Sequence, residues 1–370
     1  MQTFDIAVHG SGAVALAAAL ALARQGLRVG LHVDGVDATR ADLRAFALNA
    51  QSAALLQQLK VWDALAGGAK TPVYDMHIEG DVPGAALDFS AWQQGVAQLA
   101  WIVDAAALEA ALRDAIRYAP HITLMARGEL SNAALQVFAD GKASPARARL
   151  GVAMPQHSYG QRAVAARLVS NQPHAGLARQ WFKSPDVLAL LPFDMTQAGH
   201  GYGLVWSVPD ERAAVLLAGS DADFESALMA ATGGVAGALQ LVSPRAAWPL
   251  ATGRAAQVCG AGWVLLGDAA HVVHPLAGQG LNMGLADVAV LARVIAERET
   301  WRSLGDEKLL RRHARQREWP TLAMAGLTDG LLQLFALDNS AARSVRNQGL
   351  AWVNRLGPLK RALAAQALGG

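Results

Sequence analysis

The stretch FDIAVHGSGAVALAAALALARQGLRVGLHV, residues 4–33, contains three apolar runs separated by glycine-bearing turns. Phe4–Val8 is short, apolar and partly β-branched, which predicts a buried strand. Ala13–Gln25 is rich in alanine and is followed by Gly26, which predicts a helix with a glycine after its last turn. Arg28–Val33 predicts a second strand. A strand, a helix and a strand in this order form a βαβ unit, so we expect a parallel sheet.

The turn before the helix fits the pattern G-x-G-x-x-G/A through Gly10, Gly12 and Ala15. The first glycine permits a tight turn, the second lets the backbone approach a pyrophosphate, and the small third residue lets the helix pack close to the strand. The helix N-terminus then binds the phosphates. This pattern fits FAD and NAD alike. An acid that binds the ribose is expected at the end of the second strand, where the chain has Val33 followed by Asp34.

A second informative stretch is VLLGDAAHVVHPLAGQGLNMGLADV, residues 264–288. It predicts a strand that runs into Gly267 and Asp268, then a loop with proline and glycine, then a long helix over Gly280–Ala296. An aspartate at the end of a strand can accept hydrogen bonds from hydroxyl groups such as those of a ribityl chain. The glycines let backbone N–H groups approach a ligand, and the helix N-terminus favours negative charge.

The composition excludes several other classes of protein. Hydrophobic residues make up 53% of the 370 residues and charged residues 17%, which excludes disorder as the main state. The formal net charge of +2 lacks the large positive excess that is typical of a general nucleic-acid-binding protein. The single cysteine, Cys259, excludes an internal disulfide framework and a zinc site built on thiolates.

No targeting or membrane-spanning segment is predicted near the start of the sequence. The apolar run Ala13–Ala23 is about half the roughly 20 residues that a bilayer requires, so we expect a cytoplasmic protein. Asp268, His271 and His274 have a spacing that metal ligands can have. They lie in a turn with no further ligand in the pattern, and we therefore predict no metal site.

The middle of the chain has a different pattern from either end. Ala163–Leu168, Val187–Leu191 and Tyr202–Val208 alternate in character, which predicts an antiparallel sheet, and the chain beyond Leu309 is predicted to be mostly helical. The expected fold is α/β, with a Rossmann-like nucleotide-binding domain, an inserted and mainly antiparallel β-sheet lobe, and a helical C-terminus. The predicted boundaries are 1–72, 96–155 and 255–310 for the nucleotide-binding domain, 73–95 and 156–254 for the lobe, and 311–370 for the helical region.

The segment GDAAHVVHPLAGQGLN resembles the GD motif of the FAD-dependent aromatic hydroxylases, also called group A flavin monooxygenases. Within that family the chain is most similar to the ubiquinone-biosynthesis hydroxylases. The supporting segments are DLRAFALN, FADGKASPAR, SYGQRAV, QPHAGLARQWF, LALLPF, TDGLLQLFALDN and LGPLKRALAAQALG. They follow one another in order along nearly the whole chain, so the resemblance implies FAD as the cofactor of the Rossmann-like domain.

The resemblance also implies roles for individual residues. Gly10, Gly12 and Ala15 would hold the FAD pyrophosphate, and Arg44 would reach the region near the ribityl phosphate. Asp34 stays a candidate for the ribose contact, because a shift of one residue in the register would bring it to the position of the expected acid. Asp268 would bind the ribityl chain, and the remaining cofactor-binding candidates are Asp140, Gly141, Gly267, Pro275, Gly278, Gln279, Gly280, Leu281 and Asn282. The substrate-lining candidates are Pro192, Phe193, Trp206 and His274. No general base is assigned.

The chain departs from the family pattern on the adenine side of the cofactor. Val33 replaces the expected acid, Ala105 and Ala106 replace an Asn-Arg pair, Phe138 replaces a glycine, and residues 119–137 are shorter than the usual β-meander. Each lost charged hydrogen bond costs roughly 1.5–3 kcal/mol. Two such losses would weaken FAD binding by about a hundredfold or more.

The resemblance implies an FAD-dependent monooxygenase that hydroxylates the aromatic ring of a polyprenylated phenol in ubiquinone biosynthesis through a flavin C4a-hydroperoxide. Its partners would be O2, the polyprenylated phenol or quinone precursor, a ubiquinone-biosynthesis complex, and NAD(P)H or a redox protein as electron donor. Two alternatives stay open. One is a non-catalytic or weakly FAD-binding paralogue that serves as a lipid-binding or scaffold subunit, and the other is a soluble hydroxylase of small phenols.

The C-terminal segment 339–370 carries arginine and lysine among apolar residues and has no acid. An amphipathic helix pair packed on the core is one interpretation of this pattern. The other is a basic, apolar surface that contacts an anionic membrane. On the second interpretation the protein would be peripheral on the inner face of the membrane.

Overall fold

The structure, a computed structural model, describes residues 2–33, 42–80, 86–126, 131–273 and 279–336. The β-strands among them are β1 (Gln2–His9), β2 (Val29–Val33), β3 (Ala45–Leu48), β4 (Lys70–Val73), β5 (Asp75–Glu79), β6 (Ala86–Ser90), β7 (Ala100–Asp104), β8 (Ile122–Ala126), β9 (Ser131–Phe138), β10 (Gln156–Ser170), β11 (Leu177–Lys183), β12 (Asp186–Pro192), β13 (Gly201–Pro209), β14 (Leu239–Leu241), β15 (Ala246–Arg254), β16 (Cys259–Gly260), β17 (Trp263–Leu265) and β18 (His271–Val272). The α-helices are α1 (Ala13–Ala23), α2 (Ala50–Gln58), α3 (Ala91–Gln94), α4 (Ala105–Arg117), α5 (Pro145–Arg149), α6 (Asp210–Ala218), α7 (Asp221–Thr232), α8 (Gln279–Ala296) and α9 (Glu307–Ala336).

The first sheet is built around β1 and has the strand order β16-β17-β9-β1-β2-β8. β1 pairs in parallel with β2 and β9, and β8 and β17 extend the parallel part on either side. Helix α1 is apolar all round and is therefore buried, packed between α4 and α8. The predicted βαβ unit and parallel sheet are confirmed, although α1 ends at Ala23 rather than at Gln25.

The segment between α4 and β9 contains no meander in its described part. It holds β8, which joins the edge of the first sheet beside β2. Because β8 and β9 both belong to that sheet, the chain returns directly to it. Residues 127–130 lie outside the described residues.

The inserted lobe is a mainly antiparallel sheet in which β10, β12 and β13 lie at the centre. This agrees with the predicted fold class. One face packs against α6 and α7, which the sequence reading did not predict. The other face meets a small sheet of β3, β7 and β4, since a Cβ atom at Gly203 would lie 3.2 Å from the Cβ of Ala45.

The lobe sheet also takes strands from segments on either side of its main part. β5 and β6 add to it at one end, within the predicted segment 73–95. At the other end β15 pairs with β18, which lies inside the segment 255–310 that was predicted for the nucleotide-binding domain. The last described helix, α9, begins at Glu307, a few residues before the predicted boundary.

Among the described residues, α8 has the length and apolar composition that could cross a membrane. However, 61% of its residues are buried inside the protein. It packs against α1, α2 and α9, which is the position of a core helix.

The turn after β1 requires a glycine at its first position. Gly10 has φ of +138°, a backbone conformation that residues with a side chain rarely adopt. A Cβ atom there would lie 2.3 Å from the carbonyl oxygen of Ala139, which follows β9. The clash is with backbone, so no rotamer change can relieve it.

We therefore predict that Gly10→Ala destabilises the fold by at least about 3 kcal/mol. Gly12→Ala is the matched control, because Gly12 has φ of −88° and a Cβ there would meet no atom closer than 3.9 Å. The control is expected to lose less than about 1 kcal/mol. Urea unfolding of the two variants measures the difference, and equal midpoints would show that the turn is not strained as described.

Candidate functional site

The glycine turn presents open backbone at the N-terminus of α1. Gly12 is the N-cap residue of α1, and the one atom within 4 Å of a Cβ placed there is Oε1 of Glu109. Ala15 is fully buried, and its Cβ lies 3.0 Å from a Cβ placed at Gly10. The small side chain at position 15 thus lets α1 approach β1 closely. Free N–H groups of α1 face the space outside Gly12.

Arg44 lies between the glycine turn and the second motif. Its Nη2 atom is 2.6 Å from Oδ2 of Asp42 and 3.9 Å from Oε1 of Glu109. The hydrogen bonds that Arg44 donates to the Asp42 carboxylate raise the pKa of Arg44, and the charges of Asp42, Glu109 and Asp268 add to that effect. Arg44 is therefore within electrostatic reach of both turns.

The turn after β17 carries the second motif. Gly267–Ala269 form a single turn of 3-10 helix, and Gly267 itself has φ of +57°. Asp268 is solvent-exposed, whereas its two neighbours are buried. Desolvation by the walls around the turn raises the pKa of Asp268, and His271 and Arg44 oppose this rise. An exposed carboxylate at such a turn can accept hydrogen bonds from ligand hydroxyls.

A buried carboxylate on α8 supports this turn from behind. Oδ2 of Asp287 accepts the N–H of Gly267 at 2.9 Å and lies 2.7 Å from Nε2 of His271. Oδ1 of Asp287 accepts a hydrogen bond from Nε of Arg317 on α9 at 2.6 Å. Burial alone would raise the pKa of Asp287, but His271 and Arg317 hold it well below its ordinary value. Asp287 therefore stays ionised and joins the turn, β18 and α9.

The predicted cofactor residue Asp140 has a structural role in this arrangement. Its carboxylate accepts hydrogen bonds from the Ser144 hydroxyl at 2.6 Å and from the backbone N–H of Ala146 at 3.1 Å, at the start of α5. Arg147, which is buried, donates to the carbonyl oxygen of Ala269 at 2.9 Å. The segment 140–147 therefore braces the turn that carries Asp268. Gly141 has φ of +81° and is open on its Cβ side.

The first turn of α8 is partly open to a ligand and partly committed to the core. Gln279 is buried, and a Cβ at Gly280 would meet no atom of the described residues within 4 Å. Leu281 belongs to the hydrophobic core under α1. The side chain of Asn282 donates to Ala47 O at 2.7 Å and accepts from the backbone N–H of Asn49 at 3.0 Å. The two side chains thus contact the core and β3, and their contact with the cofactor stays a prediction.

Four predicted site residues lie outside the described residues. They are Asp34, His274, Pro275 and Gly278.

The predicted substrate-lining residues of the lobe are buried in its packing. Trp206 is fully buried on the face that meets α6 and α7, and its Nε1 donates to Oδ2 of Asp186 at 3.0 Å. Phe193 is also fully buried, packed on Val73 and Ile102, and Pro192 is buried at the end of β12. The prediction that these residues line a pocket is wrong, because they expose no surface to a ligand.

Small apolar residues occupy the opposite face of the lobe. Ala189 pairs with Val205 and Leu191 pairs with Gly203, and alternation along the strands turns these residues away from the Trp206 face. Gly203 is the residue that meets Ala45 of the small sheet. Ala189, Leu191 and Val205 are half-buried. This face is the wall that the lobe offers to the cofactor-binding domain.

One arginine links the lobe to the rest of the site. Arg167 on β10 donates to the carbonyl oxygen of Asp42 at 3.1 Å and pairs with the carboxylate of Asp104, which also caps α4. Its guanidinium stacks on the ring of Phe193. Asp42 also binds Arg44, which lies near the glycine turn. Asp42 therefore connects the lobe to the region of that turn.

In the described part of the chain, the adenine side offers few charged partners. Val33 is half-buried, Ala105 is buried and Ala106 is exposed at the start of α4. Phe138 and His32 stack on either side of His9, with ring centroids 4.9 and 4.4 Å from its ring. Burial lowers the pKa of His9, which favours the uncharged ring. The end of the first sheet is thus aromatic and weakly charged.

Taken together, the residues fit a dinucleotide that carries a flavin. With respect to the described residues, the backbone is open at Gly12, Gly141 and Gly280, and Asp268 is an exposed carboxylate. A comparison with protein families matches residues 101–321 to the FAD binding domain family, which is more than half of the chain. The chain belongs to this family. It is an FAD-dependent monooxygenase.

Full-length relatives and solved structures agree with this assignment. The monooxygenase is 31% identical to ubiquinone hydroxylase UbiL of Rhodospirillum rubrum over 99% of this chain and 89% of the relative. It is 29% identical to 3-demethoxyubiquinol 3-hydroxylase of Escherichia coli over 100% and 99% of the two chains. Its fold matches p-nitrophenol 4-monooxygenase PnpA of Pseudomonas putida, with a TM-score of 0.77, 18% identity and coverage of 100% and 99%.

Sequence reasoning missed the residues that hold the site together from behind. Asp287, Arg317 and Arg147 were not among the predicted site residues, and His271 was considered only as a metal ligand or packing residue. A single acid in the apolar helix run GLADVAVL is the signal that could have identified Asp287, because a buried acid requires a partner. The partner Arg317 lies 30 residues away on another helix and has no local signal.

The buried ionisable side chains around Asp287 predict that the free energy of unfolding decreases in mild acid. Burial lowers the pKa of His313, which lies beside Asp287, from 6.5 to about 4. Between these two pH values the unfolded chain binds a proton at His313 and the folded chain does not. The free energy of unfolding is therefore highest above about pH 6.5 and decreases toward pH 4. Below this window Asp287 adds a further loss, because its pKa is also lowered.

We expect His313→Leu to flatten the loss of melting temperature between pH 7 and pH 4.5, whereas the wild type loses several degrees more over the same range. His121→Gln, at an exposed position, is the control and is expected to keep the wild-type slope. Equal slopes in all three proteins would contradict the role given to His313.

Proposed function

We propose that this monooxygenase hydroxylates the aromatic ring of a polyprenylated phenol in ubiquinone biosynthesis. The observation that carries the proposal is the alignment over nearly the whole length of both chains with a ubiquinone hydroxylase and a 3-demethoxyubiquinol 3-hydroxylase. A match limited to the FAD-binding domain would support the cofactor alone. Here the lobe and the segments around it align as well.

The residues of this chain have definable tasks in such a reaction. FAD, when bound, supplies the electrons that activate O2. Gly12 and the N-terminus of α1 would hold the pyrophosphate, and Asp268 would accept hydrogen bonds from the ribityl chain. The N-terminal N–H groups of α8, together with the positive end of its dipole, would favour negative charge on a flavin ring bound there.

The lobe would exclude water from the reacting ring. Its wall of Ala189, Leu191 and Val205 is apolar and offers no acid or base of its own. A phenol ring bound against this wall would be positioned by shape, and its own hydroxyl group would activate the ring carbon.

NAD(P)H or a redox protein would deliver the electrons, and a ubiquinone-biosynthesis complex is the proposed setting. We further propose that the protein is cytoplasmic and peripheral on the inner face of the membrane, because a polyprenylated substrate resides in the bilayer. Trp319 and Leu322 on α9 are exposed by 77% and 40%, which supports such a contact. The basic, apolar segment 339–370 follows them in the chain.

A second candidate is a weakly FAD-binding paralogue with a scaffold role. The exposed Ala106 and the uncharged Val33 favour it, because both stand where a charged contact to the adenine half is expected. The two candidate functions predict different flavin contents for the purified protein. A yellow protein with about one flavin per chain supports the monooxygenase, and a colourless protein that takes up no added FAD supports the scaffold.

Deletion of the gene tests the proposed reaction. We expect the deletion strain to accumulate a polyprenylated intermediate that lacks one ring hydroxyl, and the structure of that intermediate names the step. The wild-type gene is expected to restore ubiquinone, whereas Asp268→Asn restores little and yields protein with less than about a tenth of the flavin. Asp63→Asn, at an exposed position remote from the site in sequence, is the control. An unchanged quinone profile in the deletion strain would refute the pathway assignment.

Co-sedimentation with liposomes tests the membrane proposal. We expect the full chain to sediment with anionic vesicles and to be released by high salt, because basic side chains contribute about 1 kcal/mol each near such a surface. A chain that ends at residue 338 is expected to stay in the supernatant while keeping its melting temperature. Equal sedimentation of the two chains would exclude residues 339–370 as the contact.

A further inference from the structure

Glu109 places a negative charge at the position that the cofactor phosphates would approach. It lies on α4, and its Oε1 is 3.9 Å from a Cβ placed at Gly12, the residue whose open backbone faces the pyrophosphate. The side chain of Glu109 is only 18% exposed. Bulk water therefore screens this carboxylate less than it would screen a surface acid.

The charges around Glu109 balance one another before any ligand binds. Arg113 lies one helical turn further along α4, with Nη2 2.8 Å from Oε2 of Glu109. Arg44 lies on the other side of Glu109 and is already paired with Asp42. These two arginines and two acids sum to zero. From these four side chains the FAD pyrophosphate, with two negative charges, would thus meet no excess of positive charge.

We propose that Glu109 acts as an electrostatic brake on FAD binding and keeps the cofactor exchangeable. The inference rests on the proposed placement of the pyrophosphate at Gly12. Neutralising Glu109 removes a repulsion and also frees Arg44 and Arg113 to face the phosphates. The brake opposes the adenine-diphosphate half of the cofactor and leaves the flavin ring half, around Asp268, untouched.

A merely structural role for Glu109 makes the opposite prediction. If its carboxylate serves to hold Arg44 in place for the phosphates, its removal loosens Arg44 and weakens FAD binding. If it serves only to anchor Arg113 along α4, its removal lowers the melting temperature and leaves the affinity unchanged. The sign of the change in affinity therefore separates the three roles.

The experiment is a titration of the apoprotein with FAD, followed by quenching of flavin fluorescence. We expect Glu109→Gln to bind FAD about tenfold more tightly than the wild type at low salt. The gain is expected to shrink at high ionic strength. Riboflavin, which has no phosphate, is expected to bind both proteins equally.

Two further variants complete the test. Asp114→Asn makes the same acid-to-amide change on α4, at a residue that pairs with Arg117 and is 64% exposed, and it is expected to leave FAD affinity unchanged. Arg113→Gln leaves the carboxylate without its closest positive partner and is expected to weaken FAD binding. Weaker or unchanged FAD binding by Glu109→Gln would overturn the brake while leaving the proposed function intact. If neither the wild type nor Glu109→Gln binds FAD, both the brake and the proposed function fail.

Discussion

The carboxylate of Asp287 is the contact on which the site depends. It accepts the N–H of Gly267, lies against His271 and pairs with Arg317, so a single buried charge fixes a turn, a strand and a helix at once. Removing one partner of such a buried pair typically costs about 3–5 kcal/mol. The chain accepts an ionised acid in its core because that acid holds Asp268 in place at the surface of the cleft.

The two halves of the site are held in place by different kinds of contact. The flavin-ring half is braced from behind by Asp287 and Arg147, whose contacts are buried and charge-assisted. The pyrophosphate half is arranged around Arg44, whose side chain is 46% exposed and paired with an acid two residues away. Arg167 connects this half to the lobe through Asp42 and Asp104. The contacts behind the flavin-ring half are thus buried, whereas those of the pyrophosphate half are open to solvent at Arg44.

Local pattern was sufficient for the elements that make the cofactor-binding domain. The glycine turn, α1 and the flanking strands follow from residues 4–33 alone, because their spacing and glycine chemistry are local. The assignment of Trp206 to a pocket failed for a physical reason. Alternation shows that Trp206 and Val205 face opposite sides of β13, but it does not show which side meets the cofactor. That choice depends on α6 and α7, which cover the Trp206 face.

The same limit applies to the residues at the start of α8. The sequence Gly280-Leu281-Asn282, at the start of a helix after a glycine-rich loop, has the composition of a ligand-binding turn. The backbone there is open at Gly280 with respect to the described residues. Asn282 nevertheless uses its amide to bind Ala47 O and the N–H of Asn49. It thereby fixes the distance between α8 and β3, which continues from Arg44 in the chain. A polar side chain beside a cofactor turn can thus act by setting the separation of two walls, and the partners that reveal this role are more than 200 residues away in the sequence.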